Sequence, residues 1–178
     1  MTIRNFMLPT RTAALVRSCL LVLTCLSTAT LATADDDEPQ WQEKATEAPK
    51  SFSIDKLQTF TVSQNSSLTY GIDPETLTVG EDWVVRYVMV ARSTSGALNV
   101  LYEGIRCQSA EVKTYARWDN NRSAWNSPAN AEWKALAFSG ATRPAMILAM
   151  EGLCNGKSVN GNPRKMLATL KTGMYLHR

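Results

Sequence analysis

Residues 84–107, which read VVRYVMVARSTSGALNVLYEGIRC, constrain the fold more than any other stretch of the chain. In the first half Val84, Val88 and Val90 alternate with Val85, Tyr87, Met89 and Ala91. Successive side chains of a strand point to opposite faces, so an extended chain here is apolar on both. Such a strand needs a covering layer on each side. Ser93, Thr94, Ser95 and Gly96 supply a turn, and the stretch reads as a hairpin. Arg86 interrupts one face, and the loop length sets what it meets. A four-residue loop from Ser93 to Gly96 puts Arg86 opposite Glu103, whereas a three-residue loop with Gly96 left-handed puts it opposite Gly104.

Around the hairpin lie further short runs rich in β-branched and aromatic residues, at 57–63, 68–72, 76–79 and 112–118. Turn formers separate them: Gln64, Asn65 and Ser66, then Asp73 and Pro74, Gly80, and Asp119 to Asn121. The connections are too short for parallel crossovers, which predicts an antiparallel meander of about five to six strands. Residues 143–154 and 164–171 read as two short C-terminal helices, with Pro144 and Pro163 at their starts and Gly173 beyond the second. The second carries Met166, Leu167 and Leu170 along one side and is too short to persist alone, so it must dock on the sheet. The expected fold class is α+β.

The N-terminus reads as an export signal. Arg4, Arg11 and Arg17, with no acid, precede an apolar run at 20–31, and Ala32, Thr33 and Ala34 form the small-residue site after which cleavage is expected, giving a signal at 1–34. About a dozen apolar residues fall short of the ~20 that cross a bilayer as a helix, so no transmembrane segment is expected in the mature chain. Cys25 follows Thr24 where a lipidated cysteine wants a small residue, which argues against a lipid anchor. The expected location is the periplasm, with peripheral association with the outer membrane as a variant.

The signal also explains the charge. The formal net charge of +3 arises from 19 Lys and Arg against 16 Asp and Glu, and the signal takes three of those bases with it. The surplus is therefore no argument for nucleic-acid binding. What remains is segregated: residues 35–85 hold 11 acids and three lysines, residues 86–178 five acids and 13 bases. Residues 35–50, acidic and containing Pro39 and Pro49, read as an extended leader, a tether with Trp41 as its one adhesive residue, ahead of a single domain at 51–178. Two cysteines remain after the signal, Cys107 and Cys154, an even count in an oxidising compartment, which predicts one disulfide. Chain entropy gives such a cross-link up to roughly 4 kcal/mol.

The chemistry the residues offer is narrow. The single histidine, His177, is next to the C-terminus, which leaves none for a catalytic triad in the core or for a histidine metal site. The run Asp35 to Glu38 lacks the spaced ligands of a calcium loop, and neither a metal nor a cofactor is expected. Carboxylate chemistry on an envelope polymer would need two of Asp82, Glu103, Glu111 and Glu132 facing each other across a cleft. Arg86, Glu103 and Arg106 are the candidate ligand-binding residues: Arg86 either pairs with Glu103 as a structural ion pair or, like Arg106, presents its guanidinium to a carboxylate or phosphate. Among the five tryptophans, Trp118 and Trp125 are expected on turns, partly exposed.

LQTFTVS at 57–63, the hairpin stretch preceded by VGEDW at 79–83, TYARWDNNRSAW at 114–125 and EW at 132–133 resemble the cryptic neisserial protein-like family of bacterial envelope proteins, over residues 41–154. The resemblance implies periplasmic export, often with a suspected lipid anchor, and no established activity, so no catalytic residue is carried over. The chain departs from the family's pattern at Thr24 before Cys25, and at Trp83, where the turn is expected to carry Gly; the latter implies a turn that is more ordered or averse to the left-handed conformation. The expected function is that of an exported, non-enzymatic binding or interaction module of the cell envelope, taking an envelope protein or an anionic ligand. A carboxylate-dependent hydrolase is the alternative.

Overall fold

Gly96 decides the register of the central hairpin. A computed structural model describes residues 40–172, and in it Gly96 takes φ +85° and its N–H bonds Ser93 O at 3.0 Å. That closes a three-residue loop and sets Arg86 opposite Gly104 and Tyr87 opposite Glu103. The export signal, the Ala34 cleavage point, residues 35–39 of the leader, Gly173 and His177 lie outside the described residues.

The elements follow in chain order: β1 (Gln58–Phe60), β2 (Leu68–Ile72), β3 (Thr78–Val79), β4 (Val84–Ser93), β5 (Leu98–Arg106), β6 (Glu111–Asp119), β7 (Ala124–Asn126), β8 (Lys134–Ala135), α1 (Arg143–Leu148), β9 (Cys154–Asn155), β10 (Ser158–Val159) and α2 (Pro163–Thr172). The first eight strands form one antiparallel sheet in the order β1-β2-β4-β5-β6-β7, with β3 also on β4 and β8 also on β6. The fold is α+β, as the sequence implies. The strand count exceeds the expected meander because β7 and β8, and the separate ribbon of β9 and β10, are only two or three residues long and carry no readable period. The first helix is also shorter than expected: α1 ends at Leu148, a π-helical turn Ala149–Leu153 follows, and Cys154 already belongs to β9.

Each face of the hairpin has its own cover. On one, Val85, Tyr87, Met89, Leu101 and Ile105 pack with Leu148, Leu153, Met166 and Leu170 from the helical layer. Cys107, just past β5, and Cys154 form the expected disulfide with their Cα atoms 5.7 Å apart, tying the end of the sheet to that layer. On the other face Val88, Val90, Val100, Tyr102 and Ala116 lie under Ala48, Phe52, Ile54 and Leu57.

This second cover corrects the expectation of a tether. Residues 40–57 form neither helix nor strand before β1 begins at Gln58, yet they are stitched along the sheet. Trp41 Nε1 donates to Asp82 O at 2.8 Å, Lys113 Nζ pairs with Glu43 at 2.9 Å, Thr46 and Tyr102 share a hydroxyl hydrogen bond of 2.9 Å, and Trp125 Nε1 donates to Pro49 O at 2.8 Å. A strand apolar on both faces must be covered twice, and with both helices on one face the other is covered by the end of the leader and the residues that follow it, from Ala48 to Leu57. Among the described residues no helix is long and apolar enough to cross a membrane.

Candidate ligand-binding site

The turn between β3 and β4 organises one end of the leader face. Gly80 N–H bonds Val84 O at 2.9 Å, and Trp83 N–H bonds Gly80 O at 3.0 Å. Trp83 closes this turn at φ +59°, so the expectation that its bulk would keep the turn out of the left-handed region is overturned. That conformation costs a non-glycine residue roughly 1–2 kcal/mol. It lays Asp82 back over the first residues of β4, and Asp82 rather than Glu103 is the partner of Arg86: Nη1 donates to Oδ1 at 2.9 Å and Nη2 to Oδ2 at 2.6 Å. With Arg86 opposite Gly104, the side chains of Arg86 and Glu103 lie on opposite faces, which rules their pairing out.

Asp82 is buried, at 4% exposure, and serves as a hub. Lys44 N–H donates to Oδ2 at 2.9 Å and Val84 N–H to Oδ1 at 3.3 Å, while Arg86 Nη2 also reaches Lys44 O at 3.3 Å. Burial alone would raise this carboxyl, but the Arg86 hydrogen bonds, the Lys44 amide and the Arg86 charge outweigh it and hold the pKa at about 2. Burial likewise disfavours the charged Arg86, and Asp82 overrides it, pushing the guanidinium above its usual value. Arg86 therefore locks the leader to the sheet, with three of its five N–H donors engaged by Asp82 and the Lys44 carbonyl.

Arg106, on the same face, is arranged differently. Its guanidinium carbon lies over the Trp41 indole, 3.8 Å from the ring centroid. Among the described residues no carboxylate is within salt-bridge distance of it, and its Nε has no partner. Beside it runs a groove of about 600 Å³, walled by Trp41, Trp83, Arg106, Gln108, Lys157 and Val159, with no acid in its lining. Trp83 is 68% exposed, the most exposed of the large apolar side chains among the described residues. The turn's left-handed backbone holds the indole out beside this groove.

The other tryptophans are anchors. Trp118 and Trp125 pair across β6 and β7, 5.2 Å apart edge to face, and both pack on Phe52; they are partly exposed, as expected, but lie on paired strands rather than on a turn. Trp133 packs edge-on to Trp41 at 5.9 Å, and its Nε1 donates to Glu43 at 3.1 Å.

Glu103 faces the helical side at 6% exposure. Tyr87 Oη donates to Oε2 at 3.2 Å and Thr114 Oγ1 to Oε1 at 3.2 Å. Burial raises its pKa to about 7, only partly offset by those hydroxyls and the more distant Arg117 charge. A second cleft opens there, shared with Glu132 at its exposed edge. Of the four acids considered for carboxylate chemistry, Asp82 is consumed on one face and Glu111 opens β6 opposite Arg106, while Glu103 and Glu132 line the same cleft, one at its buried floor and the other at its exposed edge. Among the described residues no three of His, Cys, Asp and Glu gather as a metal-ligand set.

Sequence reasoning named Arg106 but missed Asp82 as the partner of Arg86, and Trp41, Trp83 and Lys157 as companions of Arg106. The unusual Trp83 in a glycine-like turn was the one available signal. A family model, the CNP1-like family, matches residues 36–171. No curated protein and no solved structure matches the chain.

Proposed function

We propose that this chain, which belongs to the CNP1-like family, is an exported cell-envelope protein that captures an anionic ligand and performs no chemistry on it. The observation that carries this reading is the free guanidinium of Arg106, stacked on Trp41 with no acid partner, in a groove that contains Lys157 and no carboxylate. Stacking satisfies the face of a guanidinium and leaves its N–H edge for a carboxylate or phosphate. Trp83 adds an apolar wall on which a sugar ring or a peptide can lie, and its strained backbone is consistent with selection for exposure rather than stability. The export reading rests on the basic and apolar pattern of the first 34 residues and on the disulfide, which persists in oxidising compartments. Mass measurement of the periplasmic protein is expected to find Asp35 as its first residue.

Binding is tested by tryptophan fluorescence of the mature protein titrated with inorganic phosphate, D-glucuronate and N-acetyl-L-glutamate. A saturable change with at least one anion, weakened by salt and reduced about tenfold to a hundredfold in Arg106→Ala, is expected, with the thermal transition nearly unmoved. If Arg106→Ala instead unfolds the domain, the arginine is structural and the reading fails. Absence of a response to any of the three probes at millimolar concentration overturns it as well.

A further inference from the structure

The second cleft has a charge pattern of its own, independent of the Arg106 groove. At its floor Glu103 is more than nine-tenths buried, and among the described residues no cation lies within salt-bridge distance of it. Two hydroxyls, those of Tyr87 and Thr114, are its only hydrogen-bond donors among those residues. A buried carboxyl without a counter-charge is unfavourable once ionised, as its upward shift to about 7 reflects. Above it the cleft encloses about 470 Å³, within the range of small-molecule sites. Leu101, Val112 and Pro128 give it an apolar wall, and the exposed Arg117, whose Nη1 donates to Asn99 Oδ1, and Lys134 bring two cations to its rim, with Glu132 the one acid there.

We propose that this cleft binds a small aliphatic amino acid as its zwitterion, with the ammonium group on Glu103, the carboxylate on Arg117 and Lys134, and the side chain against Leu101 and Val112. The missing counter-charge at the floor calls for a cation, and the paired cations at the rim call for an anion. A diamine would satisfy Glu103 but set its second ammonium at a rim where two cations, Arg117 and Lys134, face the single acid Glu132. A dicarboxylate would satisfy the rim and place its other end against Glu103. Only a ligand with both signs, a few ångströms apart and joined to an apolar group, complements the whole cleft. The charged and titratable groups facing Glu103 are Tyr87 from β4, Arg117 from β6, and Glu132 and Lys134 across the cleft. An ammonium ligand selects the ionised carboxylate, so binding releases the Glu103 proton to buffer and tightens as the pH rises through 7.

The test is calorimetric titration of the full mature chain with L-leucine, with N-acetyl-L-leucine, which lacks the ammonium, and with L-leucinamide, which lacks the carboxylate. L-leucine is expected to bind, and both blocked analogues to bind at least about tenfold more weakly. Glu103→Gln is expected to lose L-leucine binding while remaining folded, and the double rim variant Arg117→Gln with Lys134→Gln, at exposed positions, to weaken it about tenfold or more. Near pH 6 the heat should vary with the ionisation enthalpy of the buffer, reporting the released proton. No binding of L-leucine at millimolar concentration, equal binding of N-acetyl-L-leucine, or unchanged affinity in Glu103→Gln would each overturn the proposal.

Discussion

Asp82, under the leader, and Glu103, on the helix-bearing face, are both buried, at 4% and 6% exposure. Burial pushes each carboxyl upward, and the outcomes diverge because of what surrounds them. Asp82 has the paired donors of Arg86 and the amide of Lys44 and is held at about 2; Glu103 has two neutral hydroxyls and rises to about 7. The lesson concerns role. A buried acid with a full set of charged and backbone donors is a fastener, whereas one left without a counter-charge at the floor of a cleft is poised for something brought from outside.

Breaking the fastener should produce the largest effect. Arg86→Met leaves Asp82 buried alone, which is expected to cost about 3–5 kcal/mol in denaturant unfolding near neutral pH, and to free residues 40–57 for limited proteolysis. A loss below about 1 kcal/mol would mean that the pair is dispensable and that the leader docks through its tryptophans instead.

The other face should respond in the opposite sense. Between the ordinary value of 4.5 and about 7 the folded protein binds the Glu103 proton more tightly than the unfolded chain does, so stability falls as the pH rises across that window. Glu103→Gln is therefore expected to be more stable than wild type by up to about 3 kcal/mol near pH 8, with the advantage vanishing below pH 4.5. Thermal melts across pH 4 to 8 decide this; a constant difference between the two proteins would contradict it.

For Asp82 the window lies lower and the slope reverses. Its contribution is complete above the ordinary value of 3.8 and disappears as the pH falls toward about 2; it is worth about 2 kcal/mol. Wild type should lose that amount between pH 4 and 2 in urea titrations, and Asp82→Asn, although less stable throughout, should show a flatter slope there. The smallest effect is expected at the turn that aims Asp82. Trp83→Gly relieves the left-handed strain at φ +59° and should stabilise the domain by up to about 1 kcal/mol, while weakening anion capture in the groove. Unchanged capture would remove Trp83 from the site.

Much of the fold was legible because it rests on local pattern. The span 68–72 read from β-branched and aromatic content is β2 to the residue, β4 extends its expected span by only Ser93, and the double alternation of Val85, Tyr87 and Met89 with Val88 and Val90 announced two covered faces. The leader was misread because its adhesion has no period: it depends on indole N–H groups, backbone carbonyls and the Glu43 to Lys113 pair, all made with residues at least 38 positions away. Those contacts also answer the segregation of charge. Glu43 with Lys113 and Asp82 with Arg86 join the acidic part of the chain to the basic part, whereas Arg106 is left out of that closure.

The candidate site was half legible. Arg106 was visible as a guanidinium at the end of the hairpin, but its freedom depends on Trp41 arriving from far earlier in the chain. Glu103 was visible as a charge in an apolar strand, but not that it faces away from Arg86.

From the amino-acid order alone came the doubly covered antiparallel hairpin, its α+β class and the single disulfide, all set by side-chain alternation, turn chemistry and cysteine count. The tertiary structure decided which charges meet. Strand side chains alternate with period two, so the difference between a three- and a four-residue loop at Gly96 carries Glu103 from the face of Arg86 to the opposite one. That single step leaves Arg86 to Asp82 and leaves Glu103 without an ion-pair partner among the described residues.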